Sequence, residues 1–214
     1  VNYVKEVCNR WGIPVEEATV DVKQYKKQFR LSTQMAARVL RYDVFEHKMK
    51  ECNGDYLALG HHGDDQVETM FMEWLRQASS SSVLGIPTKR AFANGFIVRP
   101  FLCVTKANIL HYCDKHKINP RIDPSNDDTT YTRNDIRKNL IPFMKRKNAN
   151  IHHTIQRLSE TLQEDEAYLQ KEAKKMIQTV VTFNDANRTV SFNKKTFITY
   201  PNSLQRRAYH LILN

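Results

Sequence analysis

The stretch from Gly54 to Glu68, GDYLALGHHGDDQVE, decides the fold class of this 214-residue chain. Its first half is a short apolar run that opens at Gly-Asp and closes at Gly60, which is typical of a buried strand. Its second half is polar and leads into a segment whose apolar residues recur at helical spacing. These residues are Val67, Met70, Phe71, Trp74 and Leu75. The stretch therefore predicts a strand, a polar loop and a helix in direct succession.

Helices and strands also alternate upstream of this stretch. An N-terminal helix is predicted to end at Gly12, and a strand is predicted at 13–22. A second helix, capped by Ser32 or Thr33, is predicted to run to about Lys50. The order helix, strand, helix, strand, helix predicts an α/β fold built on a parallel sheet.

The downstream part is predicted to be mostly helical. An extended segment at 96–102 precedes a helix that Thr105 caps. A further helix begins near Asn134, and we expect Pro142 to kink it. The composition of the chain then changes at 148–150.

A long amphipathic helix follows this change. Apolar residues at spacings of three and four continue from Ile151 over about thirty positions. A hairpin turning at 184–187 and a final helix complete the chain. We therefore expect one domain at 1–147 and a smaller, mostly helical domain at 148–214. The apolar stripe of the long helix could pack within its own domain or form a homodimer, and the sequence leaves both open.

Composition limits the class of protein. The chain carries 33 Lys and Arg against 23 Asp and Glu, a formal charge of +10, with 41% hydrophobic residues and a mean hydropathy of −0.60. These values are typical of a soluble globular protein. No run approaches the ~18 apolar residues of a membrane span, and the first residues lack the apolar core of a signal peptide. We therefore expect a cytoplasmic protein with no membrane partner.

Cysteine spacing argues against two kinds of site. The four cysteines, which have no C-x-x-C pair among them, are Cys8, Cys52, Cys103 and Cys113. This spacing indicates neither a disulfide framework nor a zinc or iron–sulfur site.

The positive charge favours a polyanionic partner. Contacts from Lys and Arg to phosphate supply most of the non-specific affinity of proteins for nucleic acids. A protein with no nucleic-acid partner could also carry a charge of +10 and stay soluble, so the charge alone does not show that nucleic acid is bound.

Imidazoles and carboxylates follow the predicted strand directly, at His61, His62, Asp64 and Asp65. In an open α/β sheet, ligands bind beyond the carboxyl ends of the strands, and the next helix N-terminus can hold an anion. These groups suit a phosphate-bearing ligand with its magnesium. Asp64 or Asp65 could instead only cap the helix, since Asp65 and Glu68 have capping-box spacing. A transition-metal site is disfavoured because adjacent histidines in a strand point to opposite faces.

Two groups of basic residues could bind phosphate. Arg133 and Arg137 are four residues apart at the start of a predicted helix and therefore share a face. The segment 133–147 contains six basic residues and one acidic residue, although a solvated basic helix is the commoner origin of such a run. Arg38 and Arg41 form a second pair on the helix before the central strand.

Five motifs, read in order, resemble those of one family. They are Ala37-Arg38-x-x-Arg41-Tyr42, Gly60-His-His-x-Asp-Asp-Gln-x-Glu-Thr69, Arg99-Pro-Phe-Leu102, Asp123-Pro-Ser-Asn126 and Arg133-Asn-x-Ile-Arg137. Their order and spacing resemble the tRNA(Ile)-lysidine synthetases of the N-type ATP pyrophosphatase superfamily, in the form typical of Gram-positive bacteria. The resemblance covers about 1–147, and the long helix resembles the first C-terminal domain of the family.

The resemblance implies a nucleotide-binding domain with a parallel sheet, of the adenine nucleotide alpha hydrolase type, followed by a helical tRNA-binding domain. It implies a ligase that forms a carbon–nitrogen bond and uses ATP and magnesium. Such an enzyme adenylates the C2 oxygen of the wobble cytidine in tRNA(Ile) with a CAU anticodon, and the amine of free lysine then displaces AMP. Magnesium and basic groups suit the charge that develops on the α-phosphate, and carboxylates suit a cationic lysine.

The resemblance also implies roles for individual residues. Asp65 and Glu68 would be catalytic and contact lysine or magnesium, with Asp65 the candidate metal ligand. Arg38 and Arg41 would face the ATP phosphates or the target cytidine. The residues that would border the nucleotide are His61, His62 and Asp64. The residues that would line the tRNA side of the cleft are Arg121, Asp123, Asn126, Arg133, Asn134 and Arg137.

One signature of the family is absent. A loop Ser-Gly-Gly-x-Asp-Ser should follow the first strand of the fold, but the six glycines of this chain include no Gly-Gly pair. The final small β-rich domain of the family is not matched either. We therefore expect a fragment that is inactive alone, because the backbone N–H groups of that loop would cradle pyrophosphate. The run from Ser79 to Ser82 stands where relatives have a Gly-rich loop.

The sequence leaves two alternative functions open. Another tRNA-modifying ATP pyrophosphatase, such as a cytidine thiolase, resembles the chain less because those enzymes use C-x-x-C cysteines. A non-catalytic RNA-binding module would have little use for so many acidic groups beside a basic face.

Overall fold

The computed structural model describes residues 1–76, 84–121, 132–184 and 189–213. The chain divides into two compact units, one comprising Val1–Leu59 and Lys89–Val98 and the other Gly60–Thr88 and Arg99–Asn214. The boundary expected near residue 148 lies inside the second unit, so the assignment of separate functions to 1–147 and 148–214 stays a prediction. Within the described residues, no helix has the length and apolar character needed to cross a membrane.

The first unit carries three helices and a three-stranded sheet. Its elements are α1 (Asn2–Arg10), α2 (Val22–Phe29), α3 (Thr33–Glu51), β1 (Tyr56–Ala58), β2 (Lys89–Phe92) and β3 (Gly95–Val98). The strand order is β1-β3-β2, with β1 parallel and β2 antiparallel to β3. The parallel pair confirms the α/β class. Ser32 caps α3 as predicted, because its side chain accepts a hydrogen bond from the backbone N–H of Met35.

The strand predicted at 13–22 is wrong. No strand is assigned between α1 and α2, and α2 begins where the strand was expected to end. A strand needs a neighbour for its backbone N–H and C=O groups, and the described sheet provides none for this segment. Exposed ion pairs hold the segment instead, from Glu16 to Lys48 and from Glu17 to Lys5.

The second unit is almost entirely helical. Its elements are α4 (Gly63–Leu75), a 3-10 turn (Pro100–Cys103), α5 (Lys106–Lys115), α6 (Thr132–Asp135), a π-helical turn (Ile136–Leu140), α7 (Ile141–Lys147), α8 (Ile151–Val180), β4 (Val181–Asn184), β5 (Thr189–Phe192), α9 (Lys194–Phe197) and α10 (Asn202–Leu213). The long α8 and the antiparallel pair β4–β5 confirm the predicted helix and hairpin. Positions 185–187 of the expected turn lie outside the described residues. Thr105 caps α5 as predicted.

Pro142 lies just after a π-helical turn, and the kink expected there stays a prediction. The chain widens into the π-helical turn just before α7, and Pro142 stands in the first turn of α7. The backbone stays helical through Leu140 and Ile141, and the widened turn lies where the proline has no N–H to donate. The widened turn carries Arg137, and such turns are frequent at functional sites.

Two apolar clusters stabilise the second unit. In the first cluster, Val67 and Met70 of α4 pack with Ile155 of α8 and with two further residues, Ile136 and Ile141. The second cluster consists of Met176, Ile177, Phe197 and Ala208. Since α8 contributes to both clusters, its apolar stripe packs inside its own unit. A homodimer stays a prediction.

Candidate active site

A capping box fixes the start of α4. The backbone N–H of His62 donates to Oδ2 of Asp65 at 3.0 Å, and the N–H of Asp65 donates to Nδ1 of His62 at 3.4 Å. The N-cap is therefore His62, and the expectation that Asp64 or Asp65 occupies that position is wrong. His62 has the extended backbone of an N-cap and an imidazole nitrogen that can accept, so it takes the place usually held by Ser, Thr, Asp or Asn.

Two carboxylates of α4 meet two guanidinium groups. Arg133 of α6 donates from Nε to Oε2 of Glu68 at 2.7 Å and from a terminal nitrogen to Oδ1 of Asp65 at 3.0 Å. Arg137 of the π-helical turn donates to both oxygens of Glu68, at 2.6 and 3.0 Å. The structure therefore brings the two predicted catalytic acids together with two of the predicted tRNA-binding arginines. We call these four residues the acid–arginine cluster.

Burial strengthens the ion pairs of this cluster. The Glu68 side chain is fully buried, whereas that of Arg137 is 26% exposed and that of Arg133 is 42% exposed. The hydrogen bond with Glu68 raises the pKa of Arg137 above its ordinary value. Two negative and two positive charges balance, so Glu68 is not left as an unpaired buried charge, which would be strongly destabilising.

Asp64 has a different set of partners. Its Oδ2 accepts from the backbone N–H of Lys106 at 2.7 Å, and its Oδ1 lies 2.9 Å from Nζ of Lys145 and 2.5 Å from Nε2 of His152. Burial alone would raise the pKa of Asp64, but hydrogen bonds from His152, the Lys106 backbone and Lys145 outweigh it and hold that pKa well below its usual range. Asp64 thus joins α4 to α5, α7 and α8. Its predicted place beside a nucleotide stays a prediction.

Gln66, from the same motif, lies in a buried polar network that the sequence did not predict. Its side chain donates to Oγ of Ser159 at 2.8 Å and to the C=O of Ile86 at 3.2 Å, and it accepts from the N–H of Ile86 at 2.5 Å. Ser159 and Gln163 both donate to the C=O of Leu84. Side chains of α4 and α8 therefore hold the backbone of this short segment.

The other predicted site residues are dispersed. Arg38 and Arg41 lie on α3 in the first unit. In the second unit His61 is half-buried before the N-cap, Asn134 is buried in α6, and Arg121 is exposed. The predicted positions that lie outside the described residues are Asp123, Asn126 and the serine run 79–82.

Asp65 does not fit a magnesium ion in this arrangement. Its Oδ1 accepts from Arg133 and its Oδ2 from the backbone N–H of His62, so hydrogen-bond donors occupy the positions that a cation would need. Within the ranges that the structure describes, no group of three or more His, Cys, Asp or Glu side chains is placed to hold a metal ion.

Three curated proteins similar to this chain carry the same name. The tRNA(Ile)-lysidine synthase of Oceanobacillus iheyensis is 48% identical over 212 residues. Those of Bacillus anthracis and Bacillus subtilis are 43% and 40% identical over 214 residues. The alignments cover 99–100% of this chain but only 45–46% of these relatives. The chain therefore spans about half the length of the curated relatives it matches.

A solved structure and a family model agree on the fold. The U34-tRNA thiolase NcsA from Methanococcus maripaludis with its 4Fe-4S cluster aligns with a TM-score of 0.61 at 15% identity, over 76% of this chain and 55% of that chain. A likeness at this identity shows the fold alone. The family model described as the PP-loop domain matches residues 1–144. The chain therefore belongs to the PP-loop domain family.

Proposed function

We propose that the protein ligates lysine to C2 of the wobble cytidine of tRNA(Ile) with a CAU anticodon, in an ATP-dependent reaction that forms lysidine. The observation that carries this proposal is the acid–arginine cluster, in which buried carboxylates and arginines of the family-like motifs converge. The 40–48% identity to proteins named tRNA(Ile)-lysidine synthase supports it. Because the chain spans about half of those relatives, the activity is proposed for the full-length protein.

The proposed reaction has two steps. In the first step, the C2 oxygen of cytidine attacks the α-phosphorus of ATP, and pyrophosphate leaves. In the second step, an uncharged amine of lysine attacks C2, the bond from C2 to its oxygen breaks, and AMP leaves with that oxygen. Lysine carries two ammonium groups, so carboxylates can hold one while the other releases a proton to solvent and becomes the attacking amine.

Asp65 and Glu68 are the proposed site for a lysine ammonium group. Their carboxylates lie within one turn of α4 and both bind cationic side chains, so they have the charge and spacing to hold an ammonium group in place of one arginine. A desolvated carboxylate binds a cation more strongly than an exposed one. The buried position of Glu68 therefore favours this role.

We propose that the basic side of the second unit contacts tRNA. Arg133 and Arg137 would be its centre, with Asn134 and Arg121 beside the same RNA. The cations of 133–147 and the formal charge of +10 would add sequence-independent affinity for phosphate. Asp123 and Asn126 keep their place in this proposal on sequence grounds alone.

We propose that the protein uses ATP and magnesium. His61, His62 and Asp64 would border the nucleotide, while Arg38 and Arg41 would face its phosphates or the cytidine. When bound, magnesium would neutralise charge on the ATP phosphates. We propose a cytoplasmic location, because the proposed reaction uses tRNA, free ATP and free lysine.

Incorporation of labelled lysine tests the proposal. The full-length protein, supplied with ATP, should transfer labelled lysine to tRNA(Ile) that bears a CAU anticodon, with no transfer when ATP is omitted. If sulfur or another group is transferred while lysine stays free, the thiolase reading replaces this one. Tight RNA binding without any ATP-dependent product would instead favour a non-catalytic RNA-binding module.

A further inference from the structure

The acid–arginine cluster joins residues proposed to bind lysine to a residue proposed to bind RNA. Asp65 and Glu68 are assigned to lysine, whereas Arg133 is assigned to RNA, yet Arg133 donates to both carboxylates. We propose that Arg133 is a positioning residue that couples RNA binding to lysine binding. Without RNA its guanidinium occupies the carboxylate pair, and an RNA phosphate draws it away so that lysine can enter. This inference rests on the proposed function.

Exposure and bonding distinguish Arg133 from Arg137. Arg137 is the more buried of the two and forms a two-pronged contact, with Nε on Oε1 and a terminal nitrogen on Oε2 of Glu68. Arg133 is 42% exposed and makes one bond to each carboxylate. Moving Arg133 leaves Glu68 paired with Arg137, whereas moving Arg137 would break the two-pronged contact. Arg133 is therefore the arginine that can leave at the lower cost.

The charge of the cluster changes by one when Arg133 leaves. With both arginines in place, the two carboxylates are neutralised. Without Arg133, Arg137 is the arginine among the described residues that still pairs with Asp65 and Glu68, and one net negative charge remains in a largely buried place. A single ammonium group restores neutrality there. Because an uncompensated buried charge is unfavourable, departure of Arg133 and arrival of an ammonium should occur together.

Coupling of this kind is reciprocal. If RNA raises the affinity for lysine by some factor, lysine must raise the affinity for RNA by the same factor. The RNA phosphate provides the alternative partner for Arg133, since arginine binds phosphate and carboxylate through the same planar fork. The device would keep the lysine site closed until the tRNA is in place.

Lysine titrations with and without RNA test the inference. Calorimetry would follow lysine binding to the full-length protein with a nonhydrolysable ATP analogue present, alone and with an anticodon stem-loop RNA bearing CAU. For wild type, the RNA should lower the lysine Kd at least about five-fold, the lower range of typical coupling. In Arg133→Ala, lysine should bind RNA-free protein about as tightly as it binds the wild-type RNA complex, and the ratio should fall to about one.

Two further variants separate this role from general effects. Arg133→Lys keeps a competing cation and should restore part of the coupling. Arg10→Ala removes an exposed positive charge from α1, where a terminal nitrogen of Arg10 lies 3.1 Å from Oε1 of Glu6, and should keep the full lysine coupling. Thermal unfolding of each variant checks that it is folded.

Three results would overturn the inference. One is lysine binding to wild type that is unaffected by RNA, and another is weaker lysine binding to RNA-free Arg133→Ala, as expected if Arg133 holds the lysine carboxylate. In both cases lysine still binds, so the proposed function would survive. The third is no lysine binding in any condition, which would overturn the proposed function together with the inference.

Discussion

Nε2 of His152 lies 2.5 Å from Oδ1 of Asp64, and both side chains are nearly fully buried. Asp64 stands in the first turn of α4, and His152 stands in the first turn of α8, beyond the change in composition at residue 148. Two stretches that the sequence separates therefore share a buried hydrogen bond. The carboxylate of Asp64 stabilises the packing of α4 against α8.

Replacing Asp64 by asparagine should destabilise the protein. The variant loses the charge that attracts Lys145 and His152, and hydrogen bonds to charged groups contribute about 2 kcal/mol. We expect the free energy of unfolding in urea at pH 7 to fall by about this amount. The matched control is Asp165→Asn, an exposed carboxylate on α8, which should change it by less than about 0.5 kcal/mol. Equal effects for the two variants would contradict the role of Asp64.

Acid should remove the contribution of the Asp64 carboxylate to the free energy of unfolding. Its pKa is lower in the folded protein than the value of about 3.9 in an unfolded chain, so its stabilising contribution is complete above about pH 5. As the pH falls below about 4, the unfolded state takes up a proton first and the contribution is lost. The difference in unfolding free energy between wild type and Asp64→Asn should therefore shrink below pH 4. A constant difference from pH 7 to pH 3 would contradict this.

Asp65→Asn should separate capping from chemistry. An asparagine oxygen can still accept from the N–H of His62, so the helix start is kept, but the negative charge is lost. We expect lysine incorporation to fall about 30- to 100-fold, because a desolvated charged hydrogen bond contributes about 2–3 kcal/mol. Glu73→Gln, on the same helix beside Arg76, should stay within about two-fold of wild type. A folded, fully active Asp65→Asn would leave Asp65 only its capping role.

Arg133→Gln should weaken RNA binding and reduce its salt dependence. Loss of one phosphate contact lowers the slope of log affinity against log salt concentration by about 0.7–0.9. Fluorescence anisotropy with the anticodon stem-loop at several salt concentrations measures the slope. Glutamine is shorter than arginine but keeps an N–H donor for the carboxylates of the acid–arginine cluster, so the fold should be retained. An unchanged slope would remove Arg133 from the RNA interface.

Gly85→Ala should destabilise the segment held by Gln66. Gly85 has a φ of +71°, and a Cβ there would lie 2.7 Å from Oε1 of Gln66 and 2.9 Å from Cγ of Met70. We expect a loss of about 2–3 kcal/mol in the free energy of unfolding. Gly12→Ala is the control, since Gly12 has a φ of +67° with nothing within 4 Å, and it should lose about 1 kcal/mol from backbone strain alone. Equal losses would show that crowding by Gln66 is not important.

Local patterns in the sequence predicted much of the fold. The strand and helix around His61 to Asp65, the caps at Ser32 and Thr105 and the length of α8 all follow from spacing within one element. The hairpin strand β2 (Lys89–Phe92) was missed, because two of its four residues are charged and it becomes a strand only through pairing with β3. The strand predicted at 13–22 is wrong because this segment has no neighbouring strand to pair with in the described sheet.

The sequence singled out the four residues of the acid–arginine cluster but did not predict how they pair, and their roles stay predictions. The motifs identified Asp65, Glu68, Arg133 and Arg137, yet spacing could not show that the arginines bind the acids. That contact depends on how α6 and the π-helical turn pack on α4. The roles of His152 and Ser159 depend on the packing of α8 in the same way, and neither residue belongs to a recognisable motif.

The proposed reaction attaches lysine to the wobble cytidine. Mass spectrometry of the anticodon nucleosides measures this directly, after the full-length protein is incubated with ATP, isotopically labelled lysine and tRNA(Ile). A CAU anticodon should yield a labelled wobble nucleoside, and a tRNA with uridine at that position should yield none. An unmodified or sulfur-containing wobble nucleoside from the CAU substrate would contradict the account.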